Sequence, residues 1–402
     1  MKRKKMQDKF NNSLIYDYTR TAIGGFQGSL STLKATKLGS IVIKSLLNKN
    51  KVNKADINQV IMGNVLSANL GQAPARQAAL GADLGNGVEC LTINKVCGSG
   101  LKSVMLGDDS IRIGNSSFLI CGGMENMSLA PYYINKARLG LGFGHKNLTD
   151  SILKDGLWDP YNDYAMGNCA EVLCKEENFT RSMQDEYAIE SYKRSNEAIK
   201  KGYFKNEITP VEMKLRKKDI IFSVDEEPLK FREDKVSNLR PAFIKDGSIT
   251  AANASSLSDG ASAILMGSKS IGEKNNLKPK AKIIAHTSFA TEPLYFTKAP
   301  IYAIKKVLEI ANLDIDDIDL FEINEAFSCV PMIAINKLKI HPDKVNIYGG
   351  AVSIGHPIGA SGTRILVTLL NALKIRQKKY GIASICIGGG EASAIIIENY
   401  DL

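Results

Sequence analysis

The sequence predicts an α/β fold in which a duplicated, layered core is interrupted by an inserted, mainly helical lobe. Three observations predict it. Over residues 13–127, apolar runs of strand length alternate with segments of helical spacing, the pattern of a layered α/β domain. From about residue 128 to 250, charge and aromatics rise and strand-like runs thin out. After residue 278 the order of runs seen in the first stretch begins again. The expected division is a first core half over 13–127 and 251–277, a lobe over 128–250, and a second core half over 278–402.

Residues 13–18 read as a first strand, 38–47 as a helix, 60–65 as a second strand and 73–80 as a second helix. The β-type run Glu89-Cys90-Leu91-Thr92-Ile93 leads into Asn94-Lys95-Val96-Cys97-Gly98-Ser99-Gly100, and Leu101, Val104, Met105 and Ile111 then follow near helical spacing. The run over 118–125 is a buried-strand pattern closed by glycines. The lobe holds the only tryptophan, Trp158, and a long helical pattern over 181–202. Small residues at 249–255, followed by the apolar Ile264-Leu265-Met266, mark re-entry into the core.

The repeat can be matched in three places. Residues 56–64 correspond to 318–324. The run 118–125 resembles 385–391, each a hydrophobic strand followed by glycines and a glutamate, which sets Cys121 opposite Cys386. The Cys97 loop corresponds to Gly355-His356-Pro357-Ile358-Gly359-Ala360-Ser361-Gly362, which opens a helix over 363–373. Two halves of like order imply pseudo-twofold symmetry, so loops at equivalent ends meet at one site.

The totals exclude several classes. No apolar run approaches the roughly 20 residues of a membrane span, and no apolar signal region follows the basic Met1-Lys2-Arg3-Lys4-Lys5. The formal charge of +10 suits an anionic partner, but lysines and arginines are scattered and no nucleic-acid motif is present, which favours a polyanionic small molecule. Seven cysteines without regular spacing argue for a reducing compartment, with the cytosol as the expected location, rather than a disulfide framework. No Cys-x-x-Cys or His-x-x-x-His pair supports zinc.

Four glycine-rich turns after strands carry chemistry-capable residues: Cys97, Asn324-Glu325-Ala326-Phe327, His356 and Cys386. A thiol before a helix is favoured as thiolate by free N–H groups and the macrodipole. The residues alone leave Cys97 open between a nucleophile and a buried thiol. Repeat symmetry sets His356 opposite its loop, and a Cys–His pair suits covalent acyl chemistry because the imidazole takes the thiol proton. Cys386 alone is compatible with an ordinary core residue.

The chain resembles the thiolase family along nearly its whole length. The motifs that carry the resemblance are Asn94 to Gly100, Asn324-Glu325-Ala326-Phe327, the stretch from Gly349-Gly350-Ala351 through Gly355-His356-Pro357 to Ser361-Gly362, and Cys386-Ile387-Gly388-Gly389-Gly390. The resemblance implies five α-β-α-β-α layers and an acetyl-CoA C-acetyltransferase. It implies that Cys97 accepts the acyl group, His356 activates it and Cys386 handles the α-proton. A water held by Asn324 would form one oxyanion hole with His356 Nε2, and the N–H groups of Cys97 and Gly388 the second. Coenzyme A contacts are implied at Leu157, Met166, Phe243, Ser255, Ala326 and Phe327, with the nucleotide near 230–235. One departure is Ala165, where many short-chain biosynthetic members carry His. It keeps a 3-ketoacyl-CoA thiolase of broader chain length as the alternative, ahead of a non-catalytic acyl-CoA-binding subunit. The resemblance further implies no cofactor, a potassium ion near the substrate at Tyr192, Ala251, Ala252, Ala254 and Val352, and a homodimer or homotetramer. No nucleic acid and no membrane are expected as partners.

Overall fold

In the computed structural model, which describes residues 13–214 and 219–400, the first half builds β1 (Leu14–Thr21), α1 (Ala35–Lys49), β2 (Gln59–Gly63), α2 (Pro74–Gly81), β3 (Glu89–Ile93), α3 (Ser99–Arg112) and β4 (Phe118–Asn126). The middle stretch contributes α4 (Met166–Glu176) and α5 (Arg181–Lys201), and the chain returns with β5 (Ser258–Gly267). The second half builds β6 (Ala281–Ala290), α6 (Ala299–Ala311), β7 (Leu320–Ile323), α7 (Cys329–Leu338), α8 (Ile358–Arg376), β8 (Tyr380–Ile387) and β9 (Glu391–Asn399). The basic residues 1–5 lie outside the described residues.

The strands run in the order β7-β8-β9-β6-β1-β5-β4-β2-β3. The two halves meet where β1 pairs with β6 through only Leu14↔Lys282 and Ile15↔Ala281. The four strands β6-β9-β8-β7 repeat the pairing directions of β1-β5-β4-β2, down to a bulge in the first strand of each, at Ile283/Ala285 and at Ile15/Asp17, while the place of β3 is taken by a single parallel bridge, Phe321↔Val345. Period-two alternation sorts the side chains into layers. Ile61, Leu119 and Cys121 face a central cluster, while Val60, Met62, Phe118 and Ile120 face an outer one with α1 and α2. In the second half Ile385, Ile395 and Ile397 face the centre and Ile382, Ala394 and Ile396 the other outer cluster, with α6 and α7. Helices α3 and α8 fill the centre, giving α-β-α-β-α.

Helix α8 is long and apolar enough, by length and composition, to cross a membrane, which corrects the reading that no run reaches that length; here 89% of that stretch is buried, so it is a core helix. The register also corrects the repeat by three residues. Asn58 Oδ1 accepts from Ser117 and Phe118 N–H at 2.8 and 3.0 Å, and Asp319 Oδ2 accepts from Lys379 and Tyr380 N–H at 2.9 and 3.0 Å. Phe118 therefore matches Tyr380, and Cys386 lies opposite Met124, not Cys121. The glycines misled the match. Gly122 and Gly123 lie within a strand, where a Cβ would meet Ser262 O at 2.2 Å and Gly359 O at 2.1 Å, whereas Gly388-Gly389-Gly390 form a turn after one.

Segment 128–250 is less helical than expected. Beside α4 and α5 it holds three two-stranded ribbons, such as Tyr132–Ile134 with Leu148–Asp150, whose two- to four-residue strands are too short to show periodicity. It also enters the core: Ile208–Thr209 pairs with Arg20 and Thr21 of β1. The buried Arg20 holds Glu207 at 2.6 Å and Asp225 at 2.6 and 2.9 Å.

Candidate active site

The Cys97 loop is wound around a serine. Ser99 Oγ accepts from Lys95 N–H at 2.8 Å and donates to Val96 O at 2.6 Å, while Val96 is held at φ 45°, a strained conformation for a β-branched residue. This places Cys97 one residue before the N-cap of α3. Burial pushes its thiol up to about 12, against hydrogen bonds from the N–H groups of Gly388 and of Cys97 itself. The expectation that the helix terminus yields a standing thiolate is therefore overturned. Desolvation outweighs the dipole, so the resting sulfur is protonated and must be deprotonated during attack.

His356 sits beneath the N-terminus of α8, between the positive-φ Gly355 and Pro357. Its Nδ1 is 2.6 Å from Ser361 Oγ, and Ser361 gives its hydroxyl proton to Pro357 O at 3.0 Å. Ser361 therefore accepts from Nδ1–H, which assigns the Nδ1–H tautomer and leaves the Nε2 lone pair free as a base. Burial, then the positive charge of Arg364, pulls the imidazole down to about 3, so it is neutral. Nε2 is buried and has no protein partner among the described residues.

The loops of Cys97 and His356 are equivalent in the repeat, and they touch. A Cβ on Gly100 would meet Thr363 N at 2.8 Å, and one on Gly362 would meet Leu101 N at 2.3 Å. Only glycine at both positions lets the N-termini of α3 and α8 approach this closely.

Cys386 ends β8. Burial first, and then any negative charge on Cys97, holds its thiol well above the ordinary range. Cys386 thus feels charge on Cys97, and Gly388 N–H reaches Cys97 from the turn that follows β8. Asn324 follows β7, its N–H on Ser384 O at 2.9 Å, with both side-chain amide atoms buried and unpartnered among the described residues.

A cavity of about 450 Å³ opens onto this cluster. Cys97, His356 and Gly388 line it, as do all six residues expected to contact coenzyme A: Leu157, Met166, Phe243, Ser255, Ala326 and Phe327. Asn324 and Cys386 lie behind its wall. Ser255 straps two walls together, its N–H and Oγ each 3.0 Å from Ala326 O. Ala165 also lines the cavity, beside Met127 and Leu153. Of the expected cation positions, Ala251 and Ala254 line the cavity, whereas Tyr192 and Val352 pack together in a small apolar cluster with Ala188. Ala252 lies in the same turn as Ala251 and Ala254.

Three residues not assigned in the sequence hold this geometry. Ser361 fixes the His356 tautomer. Glu125, lifted to about 7 by burial, binds Val65, Leu66 and Gly359 N–H at 3.0, 3.2 and 2.9 Å and so ties β4 to the start of α8. Glu325 accepts from Tyr187, Ser191, Asn346 and Val352 at 2.8–3.1 Å, tying the Asn324 turn to α5 and to the stretch before His356. A carboxylate at the end of an apolar strand, with no basic residue nearby in sequence, was the available signal.

The thiolase N-terminal domain model matches residues 13–270 and the thiolase C-terminal domain model residues 277–399. The chain is 48% identical over 390 residues to the acetyl-CoA acetyltransferase of Yarrowia lipolytica, covering 97% of each. It is 49% identical over 387 residues to acetyl-CoA acetyltransferase 2 of Arabidopsis thaliana, covering 96% of each. Its fold matches that of the Acat5 thiolase from Ascaris suum, solved in complex with coenzyme A, at a TM-score of 0.91 and 41% identity, covering 96% of this chain and 100% of that one. With the two-thiol site at the junction of a duplicated core, these matches settle the family: the chain belongs to the thiolases.

Proposed function

We propose that the chain is an acetyl-CoA C-acetyltransferase, joining two acetyl-CoA into acetoacetyl-CoA and coenzyme A or running the reverse. The observation that carries this reading is the pair of thiols, with Cys386 near enough for a charge on Cys97 to raise it, beside an unpartnered imidazole nitrogen that lines the same cavity as Cys97. His356 Nε2 takes the Cys97 proton as the sulfur attacks the thioester carbonyl, and the same proton leaves with coenzyme A. The N–H groups of Cys97 and Gly388 receive the developing oxyanion, a contribution of about 3 kcal/mol per donor in such sites. His356 Nε2, free again once that proton has left, takes the Cys386 proton as the Cys386 sulfur removes the α-proton of the second acetyl-CoA, and the Nε2–H so formed, with a water held by Asn324, stabilises the enolate oxygen. The enolate attacks the acetyl-Cys97 carbonyl and expels the Cys97 thiolate, which recovers the proton from His356. Mass spectrometry after mixing with acetyl-CoA tests this. Wild type and Cys386→Ala should gain one acetyl group on Cys97, only wild type should condense, and Cys97→Ala should gain none. An acetylated site elsewhere, or near-normal turnover by Cys97→Ala, would refute the assignment.

Ala165 supports a second reading. A small apolar residue on a cavity wall with Met127 and Leu153 suits a longer acyl chain, as in a 3-ketoacyl-CoA thiolase. Comparing thiolysis of acetoacetyl-CoA with that of a ten-carbon 3-ketoacyl-CoA separates the two.

A potassium ion is part of the proposal. The donors fit a hard monovalent cation, since the turn carbonyls of Ala251, Ala252 and Ala254 and the carbonyl of Val352 offer oxygen. Burial, then Glu227 and Glu325, holds the Tyr192 phenol high, so the local field is negative. Bound there, the ion would brace the turn that presents Ser255; replacing potassium with N-methylglucamine tests it. A homodimer or homotetramer is supported by the edge strand β3, with Leu91 exposed, and by the exposed Leu139 and Phe143; sedimentation decides the number. A cytosolic location rests on cysteine usage, with seven free thiols, and is tested by imaging the tagged full chain.

A further inference from the structure

The central helix α8 carries a buried polar stripe through the most apolar layer of the protein. Ser361, Arg364, Thr368 and Asn371 are spaced three or four residues apart and are almost fully buried, which puts them on one face. Three of the four are held by hydrogen bonds to protein. Ser361 holds His356, Thr368 Oγ1 donates to Glu207 Oε1 at 3.1 Å, and Asn371 Nδ2 donates to Glu207 Oε2 at 2.8 Å. Arg364 differs. None of its three guanidinium nitrogens has a hydrogen-bond partner among the described residues, and its nearest acidic partner is Glu322, Nη1 to Oε2 at 3.8 Å, whose carboxyl burial lifts to about 8 against the charge of Arg364.

A buried ion pair is poor material for stability, since apolar replacements of similar volume are often neutral or better. Its placement suggests another use. Glu322 lies two residues before Asn324, whose N–H on Ser384 O continues the ladder one residue past β7, so the alternation puts both residues on the same face. Arg364 lies one turn beyond Ser361 on α8, the residue that fixes His356. The contact thus joins the strand that Asn324 follows to the helix that His356 precedes.

We propose that the Glu322–Arg364 pair is a positioning device that sets the spacing between Asn324 and His356. The inference rests on the reading of these two residues as the enolate-stabilising pocket. Arg364 also acts on His356 electrostatically, as the charge that keeps the imidazole neutral after burial. The other charged groups facing Arg364 are Glu325 beyond β7, Glu207 before Ile208, and Arg20 on β1. Glu207 is already held by Arg20, Thr368 and Asn371, and Glu325 by Tyr187, Ser191, Asn346 and Val352. Glu322 is therefore the one carboxyl among them that no hydrogen bond among the described residues commits elsewhere, and the pair is specific.

The test uses the full chain with acetoacetyl-CoA and coenzyme A as substrates. Arg364→Gln should lower kcat about tenfold or more while leaving both KM values within twofold and Cys97 able to take acetyl. Arg364→Lys, which keeps the charge, should recover to within about threefold of wild type. Glu322→Gln removes the same contact from the strand side and reads the pair if Arg364→Gln does not fold. Unchanged kcat in both Arg364→Gln and Glu322→Gln overturns the inference. So does equal loss in Arg364→Lys and Arg364→Gln with parallel loss of melting temperature, which marks a purely structural role. A wild type that never acetylates Cys97 overturns the reading of the site itself; an active wild type with an unaffected Arg364→Gln overturns this inference alone.

Discussion

Replacing Glu325 by glutamine is an isosteric change with a calculable penalty. One carboxylate oxygen accepts from Tyr187 Oη at 2.9 Å and Asn346 Nδ2 at 2.9 Å, and the other from Ser191 Oγ at 2.8 Å and Val352 N–H at 3.1 Å. Whichever oxygen becomes NH2, a hydroxyl can rotate to accept from it, but one buried N–H donor cannot. It faces another donor and is left unpaired, which costs about 1–3 kcal/mol. The surviving bonds lose their charge assistance, a further 1 kcal/mol or so in total. The expected loss is about 3 kcal/mol. Over 402 residues, with an unfolding entropy of about 2.1 cal/mol/K per residue, that lowers Tm by about 3–4 °C. Scanning calorimetry at fixed scan rate measures it. Because Glu325 anchors both the turn after Asn324 and the stretch ending at His356, kcat should fall with Tm. A Glu325→Gln protein melting within 1 °C of wild type would show that the four bonds do not hold the site together.

Three further outcomes follow. Ser361→Ala removes the acceptor that fixes the Nδ1–H tautomer, worth about 1 kcal/mol, so acetylation of Cys97 should slow about fivefold in a rapid-mixing assay, with no change in KM for acetyl-CoA. Gly100→Ala should lose 1–3 kcal/mol by overpacking against Thr363 N and lower kcat, as read by urea unfolding and turnover; wild-type values for both would break the claim that helix contact builds the site. His286 Nε2 lies 3.1 Å from Asp108 Oδ2 and 3.3 Å from Asp109 Oδ1. Burial alone would lower its pKa, but the two carboxylates outweigh burial and raise it above 6.5. A raised folded value means the stabilisation is fully present below about pH 6.5 and is lost as pH rises through the folded value. Urea unfolding should show wild type losing its margin over His286→Gln between pH 6 and pH 9; a margin that grows with pH would reverse the sign.

The sequence marked Cys97, Asn324, His356 and Cys386 because each sits in a glycine turn after an apolar strand, and chain order is enough to see that. What it could not show depends on distance. Glu125 binds Gly359, 234 residues away; its place at the end of an apolar strand marks it as buried, but not what it holds. The charge state of Cys97 was misjudged for the same reason: a helix terminus is visible in sequence, but the burial that outweighs it belongs to the assembled halves. The repeat slipped by three residues because glycines were matched as if they did one job, when Gly123 admits the backbone of Gly359 and Gly389 turns a chain.

The corrected register shows how a symmetric scaffold makes an asymmetric site. The loops of Cys97 and His356 superpose with Gly100 on Gly362, which sets Cys97 opposite Gly359. Cys386 lies opposite Met124, and Asn324 opposite Gly63. Cys97, Cys386 and Asn324 therefore face Gly359, Met124 and Gly63, none of which offers a nucleophile, a base or an amide side chain. The first half contributes the nucleophile; the second contributes the base, the second thiol, the amide and the Gly388 N–H. The first half's equivalent positions serve packing instead: a Cβ on Gly63 would meet Gly100 N at 2.7 Å and one on Gly359 would meet Glu125 Oε2 at 2.5 Å. The strands and helices are laid down within each half, but the central cluster is shared between them, and the chemistry arises only where the N-termini of α3 and α8 touch. The contact between Gly100 and Gly362 is thus the step at which a duplicated fold becomes one site.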